Sequence, residues 1–213
     1  AGLETYHAGS IGTDGLFLLE ELWQAGGNTD CVTVSREVRT GHAIIQNSPD
    51  GDNCILLYGG ANQAITKEQI DAVLSQFAAG DLLVLQNEVN ELDYLMERAY
   101  ERGLRIALNP SPMNEAIDAL PLHMVAWLIL NEVEAAQILG SPVTDGAAAA
   151  RILHEKLPHT AIVLTMGKSG SYYDDGAQQA YQSAFPVQAV DTTAAGDTYT
   201  GFFLAGVAEG LPV

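Results

Sequence analysis

Amphipathic helices alternate with short, wholly apolar segments through the middle of the chain, and this alternation constrains the fold most. Apolar residues recur at intervals of three and four in two predicted helices: Ile70, Val73, Leu74 and Phe77 in one, and Leu92, Leu95, Met96, Ala99 and Tyr100 in the other. Apolar strands are predicted after them at 82–85 and 104–108, and a third at 161–165 follows a predicted helix over 145–157. Strands that are apolar throughout are buried on both faces, so the pattern predicts a mostly parallel sheet covered by helices on both sides.

Two strand-rich segments interrupt this alternation. Residues 31–58 contain three strand-like stretches and a Pro-Asp-Gly-Asp turn at positions 49–52, which predicts a β-hairpin region inserted in the α/β core. Such an insertion is expected to act as a flap over the sheet edge where open α/β folds bind ligands. The sequence Asp-Asp-Gly at 174–176 predicts the turn of a second antiparallel pair within residues 169–182.

The charge balance excludes several classes of partner. The chain carries 27 acidic and 9 basic residues, for a formal net charge of −18, which would repel nucleic acids and anionic membrane surfaces. An anionic nucleotide could bind such a chain only through backbone dipoles, a few cations and a metal, which implies Mg2+. The longest apolar run, at 124–130, is far shorter than a membrane span, and the N-terminus has no signal-peptide core, so a cytoplasmic location is expected. Cys31 and Cys54 are too few for a disulfide framework and are interpreted as reduced packing residues.

The motif with the clearest chemistry lies at residues 191–198 and reads Asp-Thr-Thr-Ala-Ala-Gly-Asp-Thr. A helix that begins near Ala194 leaves its first N–H groups unpaired and positively polarised, which favours a phosphate at that end. Ala194, Ala195 and Gly196 have no side-chain bulk to keep a phosphate away from the backbone. Asp197 would repel a phosphate, so a role in accepting the proton of a hydroxyl nucleophile is favoured. The structural alternative is that Asp and Thr only cap the helix and that Gly-Asp forms an ordinary turn.

Polar residues follow the strand at 82–85, where open parallel sheets place their ligand groups. The Glu88 carboxylate can accept hydrogen bonds from sugar hydroxyls, and Asn87 is the alternative ligand at this strand end. A helix-capping role for Asn90 would explain the cluster without any ligand. Glu88 is therefore a candidate for sugar binding.

A second polar pair, Asn131 and Glu134, closes the strand at 124–130 and opens a helix. Mg2+ keeps several water ligands and takes one or two carboxylates near substrate oxygens, which suits Glu134. Acidic residues in the first turn of a helix also interact favourably with its dipole. Both the metal-binding and the structural interpretation stay open.

Two glycine-containing loops also follow predicted strands. The loop Thr-Met-Gly-Lys-Ser-Gly at 165–170 permits close passage of a nucleotide, and Lys168 is expected to face solvent or, loosely, a phosphate. This loop is not a P-loop, because the upstream glycine spacing is missing and the chain continues as a strand. Gly59 and Gly60 follow the other strand, where glycines that leave a strand usually serve the turn.

The order of these motifs along the chain resembles that of the ribokinase-like, or PfkB, carbohydrate kinases. The motifs are Gly-x-x-Gly-x-Asp at 9–14, Gly-Gly-Ala-Asn at 59–62, Asn-x-x-Glu at 131–134, the nucleotide loop at 165–170 and the C-terminal signature at 191–198. The resemblance implies a three-layer α/β/α core with a mostly parallel sheet, formed by residues 1–30 and 59–213, and a small β-strand lid at 31–58. Asp14 of the first motif is expected to cap the helix that follows. One departure is Ile129-Leu130, where the family often has Thr-Pro.

The resemblance also implies roles for individual residues. Asp197 corresponds to the general base, and the backbone N–H groups of Ala194, Ala195 and Gly196 would hold the transferred phosphoryl group. The implied sugar-binding set is Glu88, Gly59, Gly60, Asn62 and Asp197. The implied ATP-binding set is Asn131, Thr165, Met166, Gly167, Lys168, Ser169, Gly170 and Gly196. Asn131 and Glu134 would organise Mg2+ through water, and Asp191 with the Thr193 carbonyl would bind a monovalent cation, usually K+.

The reaction implied by the resemblance is transfer of the ATP γ-phosphoryl group to a hydroxymethyl group of a pentose-like sugar, with ribose the leading acceptor. Nucleosides, fructose and deoxy-keto sugars stay open as acceptors, and a non-catalytic sugar- or nucleotide-binding protein is the alternative from another class. The retained Asp197 argues against that alternative, because a binder needs the anion pocket but not the base. The resemblance leaves open a homodimer formed through the lid. Both ends of the chain look cut, and we expect these 213 residues alone to be nearly inactive.

Overall fold

The computed structural model describes residues 2–47, 53–188 and 194–213. The strands and helices, in chain order, are β1 (Tyr6–Gly12), α1 (Leu16–Gln24), β2 (Asn28–Ser35), β3 (His42–Asn47), β4 (Asn53–Tyr58), α2 (Lys67–Leu74), β5 (Leu82–Gln86), α3 (Leu92–Glu101), β6 (Arg105–Asn109), β7 (Val125–Asn131), α4 (Glu132–Leu139), α5 (Gly146–Lys156), β8 (Ala161–Thr165), β9 (Ser171–Asp174), β10 (Gln179–Gln182) and α6 (Ala195–Ala208). The chain forms two compact units. Residues 1–3, 78–87 and 99–213 form the sheet unit, and residues 4–77 and 88–98 form the hairpin unit.

The sheet unit contains a six-stranded sheet with the strand order β10-β9-β8-β7-β6-β5. The strands β5 to β8 run parallel, whereas β9 is antiparallel to β8 and β10 is antiparallel to β9. The predicted mostly parallel sheet and the predicted antiparallel pair within 169–182 are therefore confirmed. At the carboxyl ends of the parallel strands, Gln86 lies opposite Asn109 and Asn131 lies opposite Thr165. The candidate polar residues of this unit thus begin along one edge of the sheet.

Helices of the sheet unit cover both faces of this sheet. Successive side chains of a strand point to opposite faces. The Tyr172 ring packs against Gly146 at the start of α5, whereas the Tyr173 ring centroid lies 6.3 Å from that of Phe203 in α6. The buried cluster on the α6 face consists of Ala107, Ile129, Val163 and Leu204. Full burial of a Leu or Ile side chain stabilises a fold by about 1.5–3 kcal/mol, so this cluster fixes α6 on the sheet.

The hairpin unit contains two separate strand pairs. The strands β3 and β4 pair antiparallel, with His42 opposite Tyr58, which confirms the predicted hairpin. The strand β2 does not extend this hairpin but pairs in parallel with β1. The turn predicted at 49–52 lies outside the described residues. The lid boundaries at 31–58, the division of the core into 1–30 and 59–213, and the lid role all stay predictions.

The start of α2 follows from its local residues, but its end does not. Thr66 and Gln69 form a capping box, in which each side chain accepts the backbone N–H of the other, at 2.7 and 3.3 Å. The helix ends at Leu74, although the apolar periodicity reaches Phe77. The Phe77 ring instead packs edge-on against Tyr6, with the ring centroids 5.4 Å apart. Phe77 is therefore half-buried against Tyr6 and lies outside the helix.

Asp14 does not cap α1, contrary to the expectation from the sequence. The N-cap of α1 is Gly15, and no side chain bonds there. The Asp14 carboxylate accepts hydrogen bonds from the backbone N–H of Thr40 at 3.0 Å, from the Thr40 hydroxyl at 2.9 Å and from Nε of Arg39 at 3.0 Å. These donors, the Thr40 backbone N–H first, lower the pKa of Asp14 to about 2. Asp14 thus ties the turn after β1 to the segment that leads into β3.

Cys31 is buried with a free thiol, as expected for a packing residue, and the Cys54 side chain lies outside the described residues. Within residues 2–47, 53–188 and 194–213, no helix is both long enough and apolar enough to cross a membrane.

Candidate active site

The predicted phosphate-binding helix is present, and its first turn is open. Ala194 precedes α6 in a left-handed conformation, with φ 57° and ψ 18°. Its carbonyl accepts both the backbone N–H and the hydroxyl of Thr198 at 2.9 Å. Residues 194–197 are exposed, and a Cβ added at Gly196 would meet no atom within 4 Å. Because the first N–H groups of a helix have no carbonyl partner within it, this turn can accept an anion on its backbone.

Asp197 receives a hydrogen bond from the sheet. Nε2 of Gln86 lies 2.8 Å from Oδ1 of Asp197. Gln86 is the last residue of β5 and Asp197 lies in the first turn of α6, so this bond joins the sheet edge to the helix start. A carboxylate held through one oxygen keeps the other free to accept a proton. The sequence does not single out Gln86; its position at the carboxyl end of a parallel strand is the signal that points to it.

Asn131 and Glu134 form a reciprocal cap at the start of α4. Oδ1 of Asn131 accepts the backbone N–H of Val133 and of Glu134 at 2.9 Å, while Oε2 of Glu134 accepts the backbone N–H of Asn131 at 2.9 Å. Glu134 is 7% exposed. Burial raises its pKa, and hydrogen bonds from Asn131 and Ser111 act in the opposite direction. The pair therefore has a structural role in α4, and its role toward Mg2+ stays a prediction.

The nucleotide loop follows β8 as predicted and does not lead into a helix. Residues 167–169 form one 3-10 turn, after which the chain continues as β9, so the exclusion of a P-loop is confirmed. Thr165 ends β8, and its hydroxyl lies 3.4 Å from the Leu130 carbonyl. The Lys168 side chain is exposed, as expected. Gly170 has φ 90° and lies against the Gln182 carbonyl, so the loop itself requires this glycine.

The structure of the turn explains why glycines occupy two of the positions predicted to bind sugar. Gly60 has φ 50°, and a side chain there would collide with the Arg39 carbonyl; one at Gly59 would collide with Gln63. The turn at 59–62 thus requires glycine at position 60, whereas a side chain at Gly59 would require Gln63 to move. Asn62, in the same turn, is half-buried.

Glu88 lies on the surface of the same hairpin unit. Its side chain is exposed, and its backbone carbonyl accepts a hydrogen bond from Nε2 of Gln63 at 2.8 Å. The Asn90 side chain accepts the backbone N–H of Ile65 at 3.0 Å and donates to the Ile65 carbonyl at 2.8 Å. Asn90 therefore joins two loops and does not cap the helix that follows it. The Glu88 carboxylate is left available for a ligand.

A hydrogen-bonded brace joins the polar ends of β5, β6 and β7 in the sheet unit. Asn87 donates from its backbone to the Ser111 carbonyl at 2.9 Å and from its side chain to the Pro112 carbonyl at 2.7 Å. Oδ1 of Asn109 accepts the Ser111 N–H at 2.9 Å, and the Ser111 side chain bonds to Glu134. Asn87, the alternative sugar ligand, therefore uses its amide N–H within the protein, and the Asn109 side chain braces the turn that follows β6.

Residues 1–213 match the family model described as pfkB family carbohydrate kinase. The chain belongs to this family. It is 33% identical to the ribokinase of Staphylococcus aureus (strain COL) over 201 residues, which cover 92% of this chain and 66% of that protein. The chain thus spans about two thirds of the length of that relative.

Solved structures agree with the assignment to the pfkB family. The ribokinase of Cryptococcus neoformans var. grubii serotype A in complex with ADP has a TM-score of 0.85 and 31% identity, covering 100% of this chain and 73% of that one. The Arabidopsis thaliana ribokinase complexed with ribose and ATP has a TM-score of 0.82 and 25% identity, covering 98% of this chain and 70% of that one. The ribokinase-like three-layer fold expected from the sequence is confirmed.

The site residues of this pfkB family chain are divided between its two units. The sheet unit carries the α6 turn at 194–197, Asn131, Glu134 and the loop at 165–170. The hairpin unit carries Gly59, Gly60, Asn62 and Glu88. Asp191 and Thr193, predicted to bind a monovalent cation, lie outside the described residues.

Proposed function

We propose that the protein is an ATP-dependent sugar kinase that phosphorylates a hydroxymethyl group of a pentose-like sugar, with ribose as the leading acceptor. The observation that supports this most is the exposed Asp197 carboxylate in the first turn of α6. Asp197 takes the proton of the hydroxymethyl group while the oxygen of that hydroxymethyl group bonds to the γ-phosphorus of ATP. The bond from that phosphorus to ADP breaks, and sugar phosphate and ADP leave. A positioned base contributes about 10²–10⁴-fold to the rate.

The backbone N–H groups of Ala194, Ala195 and Gly196 hold the charge that develops on the transferred phosphoryl group. Each such donor contributes about 3–4 kcal/mol by analogy with oxyanion holes. The open space beside Gly196 supports this role, because no described residue explains a glycine there. A side chain at this position would stand between the backbone and an anion.

ATP binding is assigned to the loop at 165–170 together with Asn131 and Gly196. When bound, Mg2+ neutralises phosphate charge, and Asn131 with Glu134 would hold it through water. Mg2+ keeps several waters and binds through one or two carboxylates together with substrate phosphates, which suits Glu134. K+ as an activator is assigned to Asp191 and Thr193. The use of ATP fits the cytoplasmic location expected from the sequence.

Acceptor binding is assigned first to Glu88 and Asn62, because the turn explains Gly59 and Gly60. The exposed carboxylate of Glu88 and the amide of Asn62 are suited to hydroxyl groups. Ribose leads among the acceptors because ribokinases are the curated relatives and the A. thaliana structure holds ribose and ATP. Nucleosides, fructose and deoxy-keto sugars are tested beside it.

A homodimer through the β3–β4 hairpin is the proposed assembly. Both faces of this hairpin expose large apolar side chains: Ile44, Ile45, Leu56, Leu57 and Tyr58. Exposed contiguous apolar surface marks an interaction site in a soluble protein. Sedimentation of the parent and of a Leu57→Asp variant would test this assembly. We expect a dimer for the parent and a monomer for the variant, and a monomeric parent would contradict the proposal.

The experiment that tests the activity is an ADP-release assay with a panel of sugars and nucleosides, using the full-length protein and the 213-residue chain side by side. Asp197→Asn should lower phosphorylation by about 10²–10⁴-fold while nucleotide binding persists. Asp118→Asn, an exposed substitution away from the site, is the matched control. Unchanged turnover in Asp197→Asn would refute the base, and a full-length protein that binds sugar or nucleotide without phosphorylation would support the non-catalytic alternative.

A further inference from the structure

The contact between Gln86 and Asp197 joins residues that lie 111 positions apart in the chain. Both belong to the sheet unit. In the part of the chain that the structure describes, Gln86 is the only hydrogen-bond donor to the Asp197 carboxylate, and no ion pair involves Asp197. Among the described residues, one amide therefore orients this exposed carboxylate.

Gln86 lies at a strand end that neighbouring residues hold in place. Its neighbour Leu85 is buried, and its partner in the adjacent strand is Asn109. The next residue, Asn87, is tied through two hydrogen bonds to the carbonyls of Ser111 and Pro112. The strand end cannot shift without breaking these bonds, so the backbone that carries the Gln86 side chain is fixed beside α6.

The chemistry of the pair gives the amide one orientation. A carboxylate accepts hydrogen bonds, so the NH2 end of Gln86 faces Oδ1 and the carbonyl end faces away. An amide N–H cannot accept a proton at neutral pH. It can therefore hold a base without competing with it for the proton of the acceptor.

We propose that Gln86 is the positioning residue for the general base: it holds Oδ1 of Asp197 and thereby directs Oδ2 to the acceptor hydroxyl. This inference rests on the proposed kinase function. Without the amide, an exposed Asp side chain redistributes among its staggered rotamers, and most of these point Oδ2 elsewhere. Misplacement of a reacting group by 1 Å can lower a rate by about 100-fold.

The test compares Gln86→Leu and Gln86→Glu with the parent in the full-length protein. Gln86→Leu should lower kcat by about 10- to 100-fold at every pH, with the KM for ATP within about twofold of the parent. Gln86→Glu places a second carboxylate beside Asp197, and two carboxylates that share a site hold one proton at mildly acidic pH. Its kcat relative to the parent should therefore rise by at least about threefold from pH 8 to pH 5.5, because the protonated Glu again donates a hydrogen bond. A purely structural role would not produce this rescue.

Gln179→Leu is the matched control. Gln179 in β10 also donates an amide N–H to an aspartate, Asp174 in β9, at 2.7 Å. It should leave kcat unchanged. If the parent phosphorylates no sugar or nucleoside, the proposed function fails and this inference fails with it. If the parent is active but Gln86→Leu keeps kcat within twofold, or if Gln86→Glu shows no gain at low pH, only the positioning role is overturned. Thermal melting of each variant separates these outcomes from a loss of fold.

Discussion

Asn131 and Glu134 cap α4 reciprocally, each accepting the backbone N–H of the other at 2.9 Å. The same two residues lie at the carboxyl edge of the sheet, where the family resemblance assigns them to Mg2+. A structural role and a metal role are thus combined in one carboxylate. They can be separated, because an amide oxygen can replace the carboxylate in the cap but carries no negative charge to attract the metal.

Replacing Glu134 with Gln should keep the fold and weaken the use of Mg2+. Gln retains the acceptor for the Asn131 N–H, so the free energy of unfolding should stay within about 1 kcal/mol of the parent or exceed it. The Mg2+ concentration for half-maximal activity should rise several-fold, measured by titration of MgCl2 in the ADP-release assay. Glu132→Gln, in the same turn, should leave this concentration unchanged. An unchanged Mg2+ dependence in Glu134→Gln would limit Glu134 to capping.

The pH dependence of the free energy of unfolding tests separately whether burial raises the pKa of Glu134. Burial raises its pKa above the unfolded value near 4.5, so the folded state favours the protonated form. The stability that Glu134 contributes is therefore complete below pH 4.5 and is lost as the pH rises through the folded pKa. Urea unfolding should show Glu134→Gln gaining stability relative to the parent over that rise.

Asp14 should stabilise the hairpin unit in the opposite pH range. Its pKa is lowered from 3.8 to about 2 by Thr40 and Arg39, so the folded state favours the charged form. The contribution is complete above pH 3.8 and is lost as the pH falls toward 2. Asp14→Asn should therefore unfold at lower urea than the parent at pH 6, with the difference shrinking below pH 4. A difference that stays constant with pH would mean that the charge is not what ties Asp14 to Thr40.

Local features of the fold could be predicted from the sequence, because local residues determine them. The Thr66–Gln69 capping box, the parallel strands and the β3–β4 hairpin follow from spacing, apolar runs and turn residues. The motif at 191–198 likewise predicted a helix from near Ala194, and α6 begins at Ala195. Each of these patterns lies within a few residues.

The features that the sequence missed depend on contacts between distant residues. Phe77 lies beyond the end of α2, and its ring packs on Tyr6. Asp14 bonds to Thr40 rather than to its own helix, and Gln86 meets Asp197 only once β5 and α6 are placed in the sheet unit. No spacing rule encodes such pairs, since the residues between them can vary in number without changing the contact.

Gly196 offers a test in which stability and activity should change in opposite directions. It lies in the first turn of α6 with an ordinary helical backbone, and a Cβ there would meet no atom of the described structure within 4 Å. Gly196→Ala should therefore raise the free energy of unfolding by about 0.5–1 kcal/mol, because Ala has less conformational entropy to lose. The added methyl group would nevertheless occupy the open space beside Gly196 that is assigned to the phosphoryl group, and it should lower kcat/KM for ATP by at least about tenfold.

Gly206→Ala is the matched control for this substitution. It lies in the same helix, and its added Cβ would make an ordinary contact with Cδ1 of Leu211 at 3.9 Å. It should give a similar gain in stability with unchanged kinetics, measured by urea unfolding and by ADP release. If Gly196→Ala is stabilised and fully active, then the backbone at this position does not approach the phosphoryl group, and the open space beside Gly196 has no catalytic meaning. If only Gly196→Ala loses activity, the glycine is kept for the ligand at a cost to the helix.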